Sequence, residues 1–217
     1  DLAQYYHAEA QAKKTPEDYQ EASRWYRKYL NEFPDDADSA KTNFLLAEIL
    51  FESADYGAAT VEYERAAYEY PAHEQSAEAA YAAVLSYREH EPALIGDAKT
   101  AWHQQYLDSG LRFGDTYPEH PESAAVLTTI AEDLFQQNEF DLAIAVSQSV
   151  TSREPPVEPS LARTSWTVTA HSQFDLGNFV DAEKAYYSLR IHTPPDDLVA
   201  QQEIKDRIAS SIYKQGE

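Results

Sequence analysis

The chain has 217 residues, of which 17 are Lys or Arg and 38 are Asp or Glu, giving a formal charge of −21. Such a surface repels nucleic acid and anionic membranes, which excludes a sequence-independent grip on phosphates. Cysteine is absent while hydrophobic residues make up 43%, so the chain has globular composition but no disulfides, thiolate metal sites or thiol nucleophiles.

No apolar run approaches the ~18 residues of a membrane-spanning helix. The longest, from Phe44 to Phe51, is broken by Glu48. The first residue is Asp1 and no leader-like stretch follows, which reads as a mature product or an excised fragment. Abundant Ala, only 6 Gly and few β-branched residues predict helices. The 16 Tyr supply bulk between helices brought close by small side chains.

In chain order, the first predicted helix carries Tyr6 and Ala10. The second opens at the turn before Tyr19 and carries Ala22 and Tyr26. It closes at Phe33-Pro34, because Pro cannot continue a helix and its predecessor is pushed out of the α region. The phrase aromatic-Pro, four residues, Ser-Ala then recurs: Phe33-Pro34 with Ser39-Ala40, Tyr70-Pro71 with Ser76-Ala77, and Tyr117-Pro118 with Ser123-Ala124. At each junction the Ser, or the acidic residues before it, is expected to accept the free N–H groups of the next helix. The Asp35-Asp36-Ala37-Asp38 cluster is expected to act in this way and not as a calcium loop, since it lacks the central Gly and closing Glu.

Midway between junctions lies a second phrase, an aromatic followed three residues later by Ala: Tyr19/Ala22, Tyr56/Ala59, Phe140/Ala143 and Phe179/Ala182. Each is preceded by Asp18, Asp55, Glu139 or Asn178. This predicts tight turns between antiparallel helices, with Asn138 and Gly177 at two of them. The third unit departs from the pattern. Its first helix is expected over about 76–89, and its second, about 97–117, comes late, after an insertion near 90–97. Tyr106 and Gly110 stand where Ala and an aromatic are expected. Residues 203–216 read as a first helix without a second.

These residues resemble the tetratricopeptide repeat, a helix–turn–helix unit of about 34 residues. The resemblance rests on Leu46, Ala47, Leu50, Ala59, Tyr63, Ala66 and Pro71 in the second unit. In the fourth it rests on Leu127, Ile130, Ala131, Leu134, Ala143 and Pro155, and in the fifth on Trp166, Ala170, Gly177, Ala182, Tyr186 and Pro194. It implies an all-α, right-handed superhelix (an α-solenoid) of about 11 helices, five repeats and a half repeat. The expected units are 3–36, 40–73, 77–120, 124–157, 163–196 and 202–217, in a single array that is part of a longer protein.

In this repeat class the first helix of each pair lines a concave groove. The groove positions then fall on Phe44, Glu48 and Phe51, on Thr128, Glu132 and Phe135, on Thr167, His171 and Phe174, and on Tyr213. The competing reading is that the aromatics among them pack on the neighbouring repeat's first helix. Tyr63 and Tyr186 read as space-filling core.

The sequence writes no phosphate loop, no HExxH, no EF-hand and no GxSxG elbow, and its seven His are scattered. His90, between Glu89 and Glu91, reads as a solvated helix end. No cofactor, metal or catalytic residue is expected, and the chain reads as non-enzymatic. The expected function is a protein–protein interaction scaffold binding a basic or neutral peptide or helix in the groove. The alternative is a regulatory or recruiting arm of a larger enzyme or sensor. The junction phrases are similar to those of bacterial envelope repeat proteins, the Tol-associated periplasmic protein and outer-membrane assembly lipoproteins. That implies a periplasmic or outer-membrane-associated location, with the cytoplasm as the alternative. Self-association through the C-terminal half repeat is a further possibility.

Overall fold

The computed structural model describes residues 2–217. Among them it is all-helical, with eleven α-helices, one 3-10 turn and no strand. Within each of two compact units, the helices pack against their sequence neighbours, as in an α-solenoid. No helix is long and apolar enough to cross a membrane among the described residues. The chain divides into two compact units, which meet between Tyr117 and Pro118.

The first unit holds α1 (Leu2–Lys13), α2 (Pro16–Glu32), α3 (Ser39–Glu52), α4 (Tyr56–Tyr68), α5 (Ser76–His90) and α6 (Gly96–Thr116). They form three successive hairpins, with α2 packed on α3 and α4 on α5. Alanines make the close approaches: Ala10, Ala22, Ala47, Ala59, Ala66, Ala80 and Ala83 are fully buried. Enlarging one costs roughly 1–3 kcal/mol through overpacking. Tyr26 and Tyr63 fill the space beside them.

The second unit holds α7 (Ser123–Gln136), α8 (Phe140–Thr151), α9 (Pro159–Asp175), α10 (Phe179–His192) and α11 (Leu198–Lys214). Helix α9 packs on α7, α8 and α10, and α11 packs on α10. Ala131, Ala143, Ala170 and Ala182 are fully buried here. Ala170, Ala182, Tyr186, Leu189, Ile204 and Ile208 form one core cluster, against which Trp166 and Phe174 pack. Helix α11 begins at Leu198, a full turn ahead of the expected 203, because Asp197 caps it by accepting from the Ala200 N–H at 3.1 Å.

Three hairpin turns share one hydrogen-bond design. At α3/α4 the Asp55 N–H donates to Leu50 O at 2.9 Å and Ala54 N–H to Phe51 O at 2.9 Å. Glu139 and Asn138 repeat this with Leu134 and Phe135, and Asn178 and Gly177 with Gln173 and Phe174. These are Schellman closures, which need a left-handed residue after the helix. Asn138 (φ 63°) and Gly177 (φ 79°) take that conformation, but so does Ala54 (φ 61°), against its steric preference. The first hairpin differs. Pro16 occupies the first turn and Thr15 is the cap, so α2 starts a turn earlier than Tyr19 suggested. Asp18 is therefore not a cap. It accepts from the Thr15 hydroxyl at 2.7 Å while Thr15 Oγ1 accepts from the Asp18 N–H at 3.3 Å.

The junction serines do not cap their helices. Asp38, Gln75 and Glu122 hold the cap positions, and none makes a side-chain cap bond. Each serine is buried and ties the junction in its own way. Ser39 donates to Phe33 O at 2.7 Å, Ser76 accepts from the His73 N–H at 2.9 Å, and Ser123 accepts from Arg153 at 2.9 Å. Of the acidic cluster, Asp36 closes its own turn by accepting from the Asp38 N–H and the Tyr29 hydroxyl, both at 2.9 Å.

The insertion is a 3-10 turn, Glu91–Ala93, followed by an extended link into α6. His90 is not a solvated end: its ring packs 4.7 Å from Trp102 and blocks the space beside Gly57, where a Cβ would lie 3.2 Å away. Trp102 donates to Tyr87 O at 2.9 Å, which fixes α6 to α5. Tyr106 and Gly110 are both buried, so the small and large positions have exchanged places along α6.

Candidate functional site

The expected groove residues fall into separate groups. In the first unit Phe44, Glu48 and Phe51 share one face of α3 and all converge on Tyr63 of α4. The Phe44 and Phe51 rings lie 5.8 and 6.4 Å from the Tyr63 ring, and the Tyr63 hydroxyl donates to Glu48. Burial pushes the Glu48 carboxyl above the ordinary carboxylate range; the Tyr63 bond opposes this, and Glu52 and Glu78 add to it. All three side chains are half-buried.

The three Phe residues do not form an open ladder. Each packs on the aromatic that opens the next helix of its own hairpin: Phe51 on Tyr56 at 5.1 Å, Phe135 on Phe140 at 5.6 Å and Phe174 on Phe179 at 5.3 Å. The pairs close the Schellman turns. The Phe135 ring also reaches the next hairpin's first helix, at His171, 6.1 Å away. Thr128 is closed to a partner: it is buried, donates to Ala124 O at 2.8 Å and lies 3.4 Å from Ser165 Oγ. Glu132 and Tyr213 are exposed.

Thr167 and His171 are brought together. With Tyr186, Glu203 and Arg207 they line a cavity of about 150 Å³ between α9, α10 and α11. Burial first, and then Arg207, lowers the His171 pKa, against the opposing pull of Asp175 and Glu203. The ring is therefore held neutral, with one nitrogen free to donate and the other to accept. Arg163, at the rim, is paired with Asp197 at 3.2 Å.

The wall that matters most is Tyr186. Its equivalents in the first unit are satisfied: the Tyr26 hydroxyl lies 2.8 Å from His7 Nδ1, and that of Tyr63 is bonded to Glu48. The Tyr186 hydroxyl is buried and has no hydrogen-bond partner among the described residues. Its ring lies 5.7 Å from His171, and burial pushes its pKa up to about 12. An orphaned buried hydroxyl carries a free-energy penalty that a bound polar group can remove.

Sequence reading missed Tyr186, Glu203 and Arg207 as site residues. The first was absorbed into the aromatic core stripe, and the other two lie on a helix whose register only the fold fixes. Among the described residues no group of three or more His, Asp or Glu could hold a metal ion. No family model matches the chain, and no curated protein matches it either.

Proposed function

We propose that the chain is a non-catalytic, tetratricopeptide-like scaffold that binds another protein, with the α9–α11 cavity as an anchoring point. The observation that carries this reading is the unpartnered Tyr186 hydroxyl beside Thr167, His171 and Arg207. Arg207 donates, Glu203 accepts and the Tyr186 hydroxyl can do either, so a partner group with an acceptor oxygen suits the Tyr186 and Arg207 side of the cavity. The surrounding charge of −21 favours a partner surface that is basic or neutral overall. The similarity of the junction phrases to envelope repeat proteins makes the bacterial periplasm or outer-membrane surface the compartment of this proposal.

The test is affinity capture from the source organism's lysate on immobilised wild type, His171→Ala and Tyr186→Phe, compared by quantitative mass spectrometry after circular dichroism shows equal folding. A protein retained by wild type and depleted on both variants supports the cavity as the anchor. Equal capture by all three overturns it.

A further inference from the structure

A second surface lies in the first unit, where the third hairpin departs from the repeat. The late, 21-residue α6 leaves a groove of about 380 Å³ between itself and α4. Its floor is aromatic. Tyr87 and Trp102 stand 4.9 Å apart at 52°, and the indole bond to Tyr87 O locks the pair. Its walls bring carboxylates from both helices, Glu64 from α4 and Asp108 from α6, with the exposed Val61 at the mouth.

Three acids, Glu64, Glu69 and Asp108, line this groove, and Glu64 is already engaged on both oxygens, by the Ser109 hydroxyl and by Arg112. Arg112 lies over the Tyr68 ring at 3.5 Å and reaches Glu64 at 3.5 Å. Among the described residues lining the groove it is the one cation, and it is already engaged at the edge. Asp108 accepts from the neutral amide of Gln104, at 3.3 Å. Burial, then Glu64 and Asp108, pushes the Tyr87 hydroxyl up to about 12, so both carboxylates act on the same point of the floor. An aromatic floor beside Glu64 and an Asp108 bonded to a neutral amide suits a planar cation, which stacks on the rings and bonds Asp108 in its plane beside Glu64. Arg112 already shows that arrangement at the edge, a guanidinium over a tyrosine beside Glu64.

We propose that this α4/α6 groove docks a basic segment of a partner protein, with one arginine stacked on Trp102 and Tyr87 and its guanidinium against Asp108 and Glu64. A lysine suits the site less well, because its ammonium neither stacks as a plane nor bonds two oxygens side by side. A second copy of the chain is a poor occupant, since a chain of charge −21 repels itself. The groove is separate from the α9–α11 cavity, so either assignment can fail alone.

The probe is a fluorescein-labelled peptide, acetyl-Gly-Leu-Arg-Gly-Arg-Leu-Gly-amide, followed by anisotropy with the full chain. Asp108 is exposed, so its variants leave the core intact. Asp108→Asn is expected to weaken binding about fivefold and Asp108→Arg more than about tenfold. Asp141→Asn, the same charge change on an exposed position of α8, is expected to leave binding unchanged. Replacing both peptide arginines by lysine is expected to weaken binding about threefold. Equal weakening by Asp108→Asn and Asp141→Asn would reduce the effect to diffuse charge attraction and overturn the proposal. No binding to wild type, or equal binding of the lysine peptide, overturns it as well.

Discussion

The hydroxyl of Tyr63 on α4 donates to the carboxylate of Glu48 on α3, and so joins the two helices of one hairpin through a half-buried acid. The acceptor is needed there, since Tyr63 is 2% exposed; the charge is not. Burial raises the Glu48 pKa above its unfolded value. A carboxyl with a raised native pKa contributes stability that is full below the unfolded value of about 4.5 and is lost as pH rises through the native value.

Glu48→Gln keeps an acceptor oxygen and removes the charge. It is expected to raise stability at pH 7 by up to about 1 kcal/mol and to change little at pH 4. Urea unfolding at the two pH values checks this, and a loss of stability at pH 7 would show that the charged form strengthens the Tyr63 bond by more than burial costs.

His7 serves Tyr26 in the first hairpin as Glu48 serves Tyr63 in the second. The His7 and Tyr26 rings meet edge to face at 5.6 Å, much as Phe44 meets Tyr63 at 5.8 Å. His7→Phe should therefore fit sterically yet leave the buried Tyr26 hydroxyl without a partner, at a cost of about 1–3 kcal/mol. Adding Tyr26→Phe should recover most of that loss. The pH dependence follows from the same site. Burial lowers the His7 pKa despite the opposing pull of Glu52. Its contribution is full above the unfolded value of about 6.5 and is lost as pH falls from there through the native value. The double variant should show a shallower loss of stability on acidification below pH 6.5.

The shared turn design makes a backbone prediction. Ala54 holds a left-handed conformation that Gly177 holds in the equivalent turn of the fifth unit. Ala54→Gly should stabilise by a few tenths to about 1 kcal/mol. Gly177→Ala should destabilise by about 1–2 kcal/mol through backbone strain alone, because nothing lies within 4 Å of the added Cβ. The urea midpoints of the two variants should move in opposite directions.

The helical layout was legible because periodicity and punctuation are local. Small residues such as Ala47 and Ala170 sit at crossings, prolines end helices, and the late α6 announced itself by spacing. The hydrogen bonds were not legible. Ser39, Ser76 and Ser123 look alike in sequence, yet their partners depend on how each junction folds back. Phe51, Phe135 and Phe174 recur at equivalent positions in the sequence, but the turns fold the next helix's first aromatic onto them. Of the expected site, Thr167 and His171 meet in a cavity. Its third wall, Tyr186, can be distinguished from Tyr26 and Tyr63 only by the partner it lacks.

That missing partner allows a variant in which stability and binding move apart. Removing a hydroxyl that is satisfied in the free protein costs stability, whereas removing one that is buried and unsatisfied relieves a desolvation penalty. Tyr186→Phe is thus expected to raise stability by up to about 1 kcal/mol, while Tyr63→Phe, which strands Glu48, lowers it by about 1 kcal/mol or more. If the hydroxyl is held in reserve for a ligand's acceptor, Tyr186→Phe also weakens partner capture although the fold has become firmer. Thermal unfolding of the two variants, set beside the capture comparison, separates the cases. Greater stability with unchanged capture would make Tyr186 an imperfection of the core. Lower stability would mean that a water molecule or a movement of His171 satisfies the hydroxyl in solution. Greater stability with weakened capture is the pattern that a binding site predicts and a packing defect does not.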